Sequence, residues 1–265
     1  MKYLKLYWKF ITNCIRRETL YRFHFVVNMF TVVFGYLANV LFYHFIYSYG
    51  IDNISGWNVY EVYVLLATIW IVDSIFGGLF FFNLIQIPTQ VKKYQLDGLL
   101  VKPINHVFIL TMRQFNFGIF SGVFFGIGFL IYAVVKGGVE IRNIDVFNYI
   151  VLVCCSVVLL FSILFIMVAF SLRFVRIQGL IQMFWTLMEP GKRLHSIYPL
   201  ALKNVFTFIV PAIVIYNFPS EILIRNHFFD YLGLGTTFLI SIIMASIFLA
   251  ISICYFKKSL KYYYN

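Results

Sequence analysis

The sequence predicts an all-α membrane protein with six transmembrane helices, and two observations support this. Of the 265 residues, 62% are hydrophobic and only 12% are charged, and the mean hydropathy of +0.88 excludes an ordinary soluble domain. The charges are also far apart: the stretches 23–51, 146–172 and 231–256 contain none, and each is long enough to cross a bilayer as a helix. The stretches between Glu61 and Lys92 and between Lys102 and Lys136 contain one internal charge each.

The first 22 residues predict an amphipathic helix that lies in the membrane interface. At 100° per residue, lysines and other polar side chains share one stripe and apolar side chains share the opposite one. The predicted spans follow at about Phe25–Tyr47, Tyr60–Ile85, Val107–Val135 and Val146–Leu172, with a final span at about Tyr231–Phe256.

Alternate connections between the spans are rich in Lys and Arg. The N-terminal segment, residues 87–103 and the C-terminus carry most of these cations, whereas the other loops are balanced or acidic. By the positive-inside rule both termini and residues 87–103 are cytoplasmic. Anionic lipid headgroups therefore account for the net charge of +11 more simply than nucleic acid does.

Residues 87–103 predict a short cytoplasmic helix. Pro88 suits its first turn, Gly98 suits its C-terminal cap, and Pro103 prevents the helix from continuing. Apolar residues recur at roughly helical spacing and the other side is polar, so we expect the helix to lie against another surface.

Several polar residues fall inside the predicted spans. Burying Asp73 has the highest free-energy cost of these residues, because it is ionisable and lies near mid-membrane. Such a group normally faces the bundle interior or a wet cavity. It could contact a transported solute, but pairing with Ser74 or with a polar group on a neighbouring helix is the favoured interpretation. Arg113 is close enough to the membrane surface to snorkel. The candidate translocation-path residues are Asn39, Asp73, Asn83, Gln114, Asn116 and Gln182.

The glycines of the third span predict close helix packing. Gly118, Gly122 and Gly126 share one helix face, and small residues let membrane helices approach each other.

Residues 173–230 allow two topologies, and both give six crossings. In the first, residues 177–188 lie on the cytoplasmic surface and residues 204–218 form the fifth span. In the second, the fifth span runs from near Arg173 to near Lys192, and residues 190–220 dip back as half-helices. The candidate re-entrant or gate residues are Tyr198, Pro199, Pro211 and Pro219.

Two segments resemble the permease subunits of ABC-2 type exporters, in particular the six-helix bacterial efflux branch. The first is I-P-T-Q-V-K-K-Y-Q-L-D-G-L-L-V-K-P-I-N, with its basic residues, short L-D-x-L-L and basic-Pro-hydrophobic-Asn ending. The second is I-Y-P-L-A-L-K-N-V-F-T-F-I-V-P-A-I-V-I-Y-N-F-P-S, with Tyr-Pro, a Pro after an apolar run, and aromatic-x-Pro-small.

The resemblance implies a bacterial cell-membrane permease with a coupling helix at Gln90–Lys102 that docks into cytoplasmic ABC ATPase subunits. ATP and Mg would bind on those subunits, and a second permease chain, identical or paralogous, would complete the transporter. It also favours the second topology, which places Lys192 and Arg193 on the outer side. The implied ATPase-coupling residues are Lys92, Lys93, Tyr94, Leu96, Asp97, Leu99 and Leu100.

No motif in the sequence supplies chemistry of its own. A phosphate-binding G-x-x-x-x-G-K-[ST] loop is absent, as are the H-E-x-x-H and G-x-S-x-G patterns, and the five histidines are scattered. We therefore expect no catalytic residue, metal or cofactor on this chain. The resemblance implies export of an unidentified amphipathic substrate, such as a drug, a lipid or a peptide-like molecule. The alternative is an ATP-independent ion-coupled transporter or channel that uses Asp73.

Overall fold

The computed structural model describes residues 2–50, 53–93, 95, 97–101, 103–174, 178–224 and 234–264, and within them the chain is built of helices. The α-helices are α1 Lys2–Leu20, α2 Arg22–Ser48, α3 Val59–Phe76, α4 Phe82–Lys92, α5 Asp97–Leu100, α6 His106–Thr111, α7 Phe117–Phe120, α8 Gly122–Gly137, α9 Asn143–Phe174, α10 Gln178–Met188, α11 Leu200–Asn204, α12 Ala212–Ile224 and α13 Leu234–Tyr264. Two π-helical turns, Gly77–Phe81 and Val205–Ile209, and two 3₁₀ turns, Glu189–Lys192 and His195–Ile197, connect them.

Five helical stretches of the described chain are long and apolar enough to cross a membrane. They are Phe25–Ser48, Val59–Val91, Phe117–Gly137, Asn143–Phe170 and Gly235–Lys261. A sixth candidate is the pair Leu200–Ile209 and Ala212–Ile224, which is bent by 99° at Pro211. The all-helical membrane fold is thus confirmed. The bend at Pro211 lies within residues 190–220, and a re-entrant path for them stays a prediction.

The core lies where α3, α9 and α12 meet. α3 is apolar on all sides, and every residue from Val62 to Phe76 except Ile75 is buried. Asn58 fixes its start with a capping box, in which the Asn58 side chain accepts a backbone N–H and the Asn58 N–H donates to Glu61 at 2.8 Å. α8 packs along α3 and α13 along α9, whereas α2 lies at the periphery.

Glycines bring α8 close to α3, as the sequence predicts. A Cβ atom added at Gly126 would lie 2.8 Å from Cγ1 of Ile71, and one added at Gly122 would overlap Oγ of Ser74. Gly118 approaches α2 in the same way, since its added Cβ would lie 2.9 Å from Cβ of Asn28. Gly128 faces open space.

The predicted helix at residues 87–103 is divided in the structure. α4 continues the second span through Pro88 and ends at Lys92, and a separate short helix, α5, contains Gly98 instead of being capped by it. Placing Pro88 in a first turn was therefore wrong. The reason is packing: Leu84 and Ile87 are buried, so the helix persists although Pro88 supplies no N–H to it.

The third span begins later than predicted, at Phe117, because residues 112–116 break the helix after α6. The side chain of Asn116 accepts the N–H of Ile119 at 3.0 Å and so caps α7. Arg113 lies in this break and not two turns inside a span. α1 holds the break in place, since Glu18 accepts the N–H of Phe117 at 3.0 Å and Cys14 Sγ accepts that of Phe115 at 3.4 Å.

The predicted fifth span from near Arg173 to near Lys192 is not among the candidate spans of the described residues. α10 has 11 residues, about 16 Å of helix, and a 3₁₀ turn follows it. α1 is a helix as expected, and its exposed Leu4 and Trp8 agree with an interfacial position, which stays a prediction.

We expect Gly122→Ala to destabilise the protein and Gly128→Ala to leave it unchanged or slightly stabilised. Overpacking costs about 1–3 kcal/mol, whereas replacing Gly by Ala in a helix gains at most about 1 kcal/mol. Thermal unfolding in detergent measures both variants. Equal melting temperatures for the two would contradict the close packing of α8 on α3.

Candidate functional site: a polar cluster inside the bundle

Four elements bring polar side chains together in the bundle interior. Asp73 lies on α3, Tyr36 on α2, Tyr216 on α12, and Lys192 in the 3₁₀ turn that follows α10. We call these four residues the Asp73 cluster. Its members are distant in sequence, and only the packing of α2, α3 and the bent pair brings them together.

Three donors converge on the carboxylate of Asp73. Lys192 Nζ lies 2.7 Å from Oδ2, the hydroxyl of Tyr36 donates to Oδ2 at 3.2 Å, and the hydroxyl of Tyr216 donates to Oδ1 at 2.8 Å. An ionised carboxylate has acceptor positions for all three. The favoured sequence interpretation, a polar partner from a neighbouring element, is therefore confirmed, while any contact of Asp73 with a solute stays a prediction.

Lys192 is held from both sides. Its ammonium group pairs with Asp73, and it also lies 4.8 Å from the ring centroid of Trp185 and 5.6 Å from that of Tyr216. The side chain is 19% exposed and that of Asp73 is 7% exposed, so this is a largely buried ion pair. Lys192 turns toward Asp73 in the bundle interior, and its position on the outer side of the membrane stays a prediction.

A cavity of about 290 Å³ opens beside the Asp73 cluster. Its walls combine aromatic rings with polar groups, and the Tyr36 and Trp70 rings stack at a centroid distance of 4.9 Å. Glu189 and Arg193 also line it, with about half of each side chain exposed. The volume is at the lower end of the range of small-molecule sites.

A second polar cluster fixes the bent pair to the chain before it. His195 Nδ1 lies 2.7 Å from Glu221 Oε1 and 3.3 Å from Asn217 Oδ1. All three residues are buried. His195 therefore has polar neighbours in the fold, although the five histidines are scattered in the sequence, and we group it with Asn217 and Glu221 as the His195 cluster.

Asn217 is the link between this cluster and the loop that carries Lys192. Its amide nitrogen donates to the carbonyl of Gly191 at 2.7 Å and to that of Arg193 at 3.3 Å. Gly191 is required here, because a Cβ atom would overlap the carbonyl of Ala212 at the start of α12. The loop and α12 thus form one packed unit.

The six predicted path residues separate into three places. Asn39 and Asp73 line the same cavity. At the break before α7, where Asn116 also lies, the side-chain amide of Asn83 donates to the carbonyl of Gln114 and accepts its N–H. The side chain of Gln114 pairs with that of Gln86. Gln182 is exposed on α10. Their role in transport stays a prediction for all six.

The predicted gate residues surround the bent pair. Pro199 precedes α11, Pro211 lies at the bend, and Pro219 lies inside α12. The ring of Tyr198 contacts that of Phe206 at a centroid distance of 5.9 Å, and burial raises the pKa of its hydroxyl, which keeps it neutral.

The predicted coupling segment is described in part. Tyr94, Leu96 and Lys102 lie outside the described residues. Lys92 ends α4, and Asp97, Leu99 and Leu100 belong to α5. Lys93 is exposed, whereas Leu99 packs partly against the bundle.

Comparison with known protein families identifies the family of this chain. A family model described as an ABC-2 family transporter protein matches residues 33–265, which include both polar clusters, the predicted coupling segment and the bent pair. The chain belongs to the ABC-2 transporter family. No curated protein and no solved structure matches it.

As an ABC-2 permease, the protein is a multi-pass membrane subunit for transport, and members of this family generally work with ABC ATPase partners. Several polar residues inside the permease were not predicted as site residues from the sequence. They are Tyr36, Lys192, His195, Tyr216 and Glu221. One signal was available: a carboxylate at mid-span needs a cation, and Lys192 is a charged residue next to apolar segments.

We expect Asp73→Asn to lower the stability of the permease by about 3–5 kcal/mol, because it leaves the buried Lys192 without a counter-charge. Lys192→Met should restore part of this loss in the double variant. Arg193→Gln is the control: its 4.0 Å contact with Glu189 is half exposed and worth less than about 1 kcal/mol. Thermal unfolding in detergent is measured for Asp73→Asn, Lys192→Met, their double variant and Arg193→Gln. The first three give the coupling energy between Asp73 and Lys192, and additive effects would contradict a direct ion pair.

Proposed function

We propose that this ABC-2 permease is the membrane subunit of an ATP-driven exporter in the bacterial cell membrane. ATP and Mg would bind on separate cytoplasmic ATPase subunits, and a second permease chain, identical or paralogous, would complete the transporter. The substrate would be amphipathic, such as a drug, a lipid or a peptide. The family match is the observation that carries the proposal, because ABC-2 permeases generally work with ABC ATPases.

The charge distribution supports a cytoplasmic position for both termini and for the segment after α4. Lys92 and Lys93 lie where the second span ends, and Lys257, Lys258 and Lys261 lie at the end of α13. Cations at these ends are typical of the cytoplasmic side. The segment at 90–102 would then face the ATPases.

Continuity of the second span favours a mechanical role for this segment. α3, the π-helical turn and α4 follow each other without a break, so a helical rod runs from the capping box to Lys92. Lys93 lies 20 residues beyond Asp73, about 30 Å along the helix. A push on the segment after α4 would therefore act on the same rod that carries the Asp73 cluster.

Two contacts would transmit such a push. Val91 and Leu99 pack against the bundle, and the N–H of Gln95 donates to the carbonyl of Gln90 in the last turn of α4 at 2.9 Å, which ties Gln95 to the helix end. The ATPases would have to bind this segment differently before and after hydrolysis, since equal affinity for two permease conformations shifts neither. The 290 Å³ cavity beside Asp73 would be the part of the path that the motion opens.

Lys93→Glu should weaken capture of the ATPase by about fivefold to tenfold, or about 1–1.4 kcal/mol, because it reverses an exposed charge in the proposed contact. Lys136→Glu makes the same change at the opposite end of the spans and should have no effect. A pull-down in mild detergent followed by titration of the purified ATPase measures both. Equal affinities for the two variants would place the contact elsewhere.

Tyr94→Ala combined with Leu99→Ala should abolish transport and ATPase binding together. Since Leu99 also packs on the bundle, thermal unfolding must show that the variant is folded. Binding and transport at wild-type levels in this variant would reject the coupling role.

The energy source is tested with sealed vesicles that contain the permease, its ATPase and a fluorescent amphipathic dye. Dye movement that needs ATP and persists without ion gradients is expected. Movement that follows an ion gradient, ignores ATP and disappears in Asp73→Asn would instead support the ion-coupled alternative.

A further inference from the structure

A groove of about 520 Å³ lies between α6, α9 and α13, away from both polar clusters. α13 contributes Leu249, Ile253 and Lys257, and Phe161 of α9 and Val107 of α6 form the facing walls. Phe80, from the π-helical turn of the second span, also lines it. Four elements of the bundle therefore meet around this groove, which the transport proposal does not use.

The walls of the groove are apolar where they face the bundle. Thr111 is the polar residue of the α6 wall, and its hydroxyl donates to the carbonyl of Val107 at 2.8 Å. That bond satisfies the hydroxyl within its own helix. The interior therefore offers hydrocarbon contact and little for a polar solute to bind.

The length of the groove suits a lipid chain. Leu249, Ile253 and Lys257 follow each other at every fourth position on one face of α13, so they span about 12 Å at the α-helical rise. One leaflet of a bilayer contributes about 15 Å of hydrocarbon. The groove thus runs along most of one leaflet.

The end of the groove is basic. Lys257 lines it, and α13 contains no acidic residue that could neutralise this charge. Asn105 also lines the groove and keeps its Oδ1 occupied by the N–H of Val107 at 3.0 Å. Basic pockets between membrane helices at a bilayer surface are suited to anionic headgroups.

We propose that this groove binds one anionic phospholipid of the surrounding bilayer, with an acyl chain against Leu249 and Ile253 and the phosphate at Lys257. The ammonium group supplies a point charge for the phosphate. The lipid joins α6, which directly follows the coupling segment, to α9 and α13. Its binding is independent of which energy source drives transport.

Native mass spectrometry of the 265-residue chain in detergent tests the headgroup. Phosphatidylglycerol and phosphatidylcholine with the same acyl chains are titrated separately, and the wild type should prefer the anionic lipid. Lys257→Ala should reduce that preference by about fivefold, the effect of one lysine near a charged surface. Lys258→Ala removes the same charge one residue away and should leave the preference unchanged. Equal effects of the two variants, or none, would overturn the proposal.

A second pair of variants tests the acyl chain. Ile253→Trp fills the groove and should reduce binding of both lipids at least tenfold, whereas Ile251→Trp changes a 50% exposed residue on the same helix and should not. Both variants should unfold near the wild-type temperature when no lipid is added. Unchanged lipid binding in Ile253→Trp, with the fold intact, would show that the groove is not the site.

Discussion

Asp73 lies near the middle of the most buried span, where an unpaired carboxylate is costly, and Lys192 supplies its counter-charge at 2.7 Å. The pair forces the chain after α10 to approach the centre of the bundle. A backbone at that depth needs partners for its own polar groups. Asn217 supplies them by donating to two carbonyls of the loop, on either side of Lys192. One buried charge thus determines the path of the chain from residue 189 to residue 193.

The same constraint explains the shape of the bent pair. α12 must begin close to the loop, and the absence of a side chain at Gly191 permits that contact with Ala212. Pro211, at the bend, has no N–H to donate to a continuing helix, so the preceding turns end there. Asn217 and Glu221 lie four residues apart on one face of α12, and this face holds both the loop and His195. Ion pair, bend and buried polar residues are parts of one arrangement.

Hydropathy and charge spacing predicted the helical class, and the glycine spacing predicted close helix packing in the third span. The residues alone did not identify α3 as the partner helix, and they allowed two topologies for residues 173–230. Hydropathy and charge spacing failed where contacts of individual side chains determine the local structure. By its average hydropathy, the apolar run from Val107 onward is a single span, but Asn116 caps a new helix inside it. Pro88 has the sequence signature of a helix start, yet α4 continues past Pro88 because Leu84 and Ile87 are buried. Spacing along the chain does not contain these tertiary contacts.

Lys192 shows most clearly what hydropathy cannot predict. A hydropathy argument treats a lysine as the end of a span and assigns it to a surface, whereas its partner lies 119 residues earlier in the sequence. The need of Asp73 for a polar partner could be predicted, but which residue met it could not. The resulting pair adds an ion pair between two units that also pack directly against each other: the continuous rod of the second span, and the loop packed on α12. Since buried ion pairs lose most of their stabilisation when the charges separate, intermediate separations are unfavourable. The pair therefore stabilises the packed arrangement of the rod, the loop and α12 against separation.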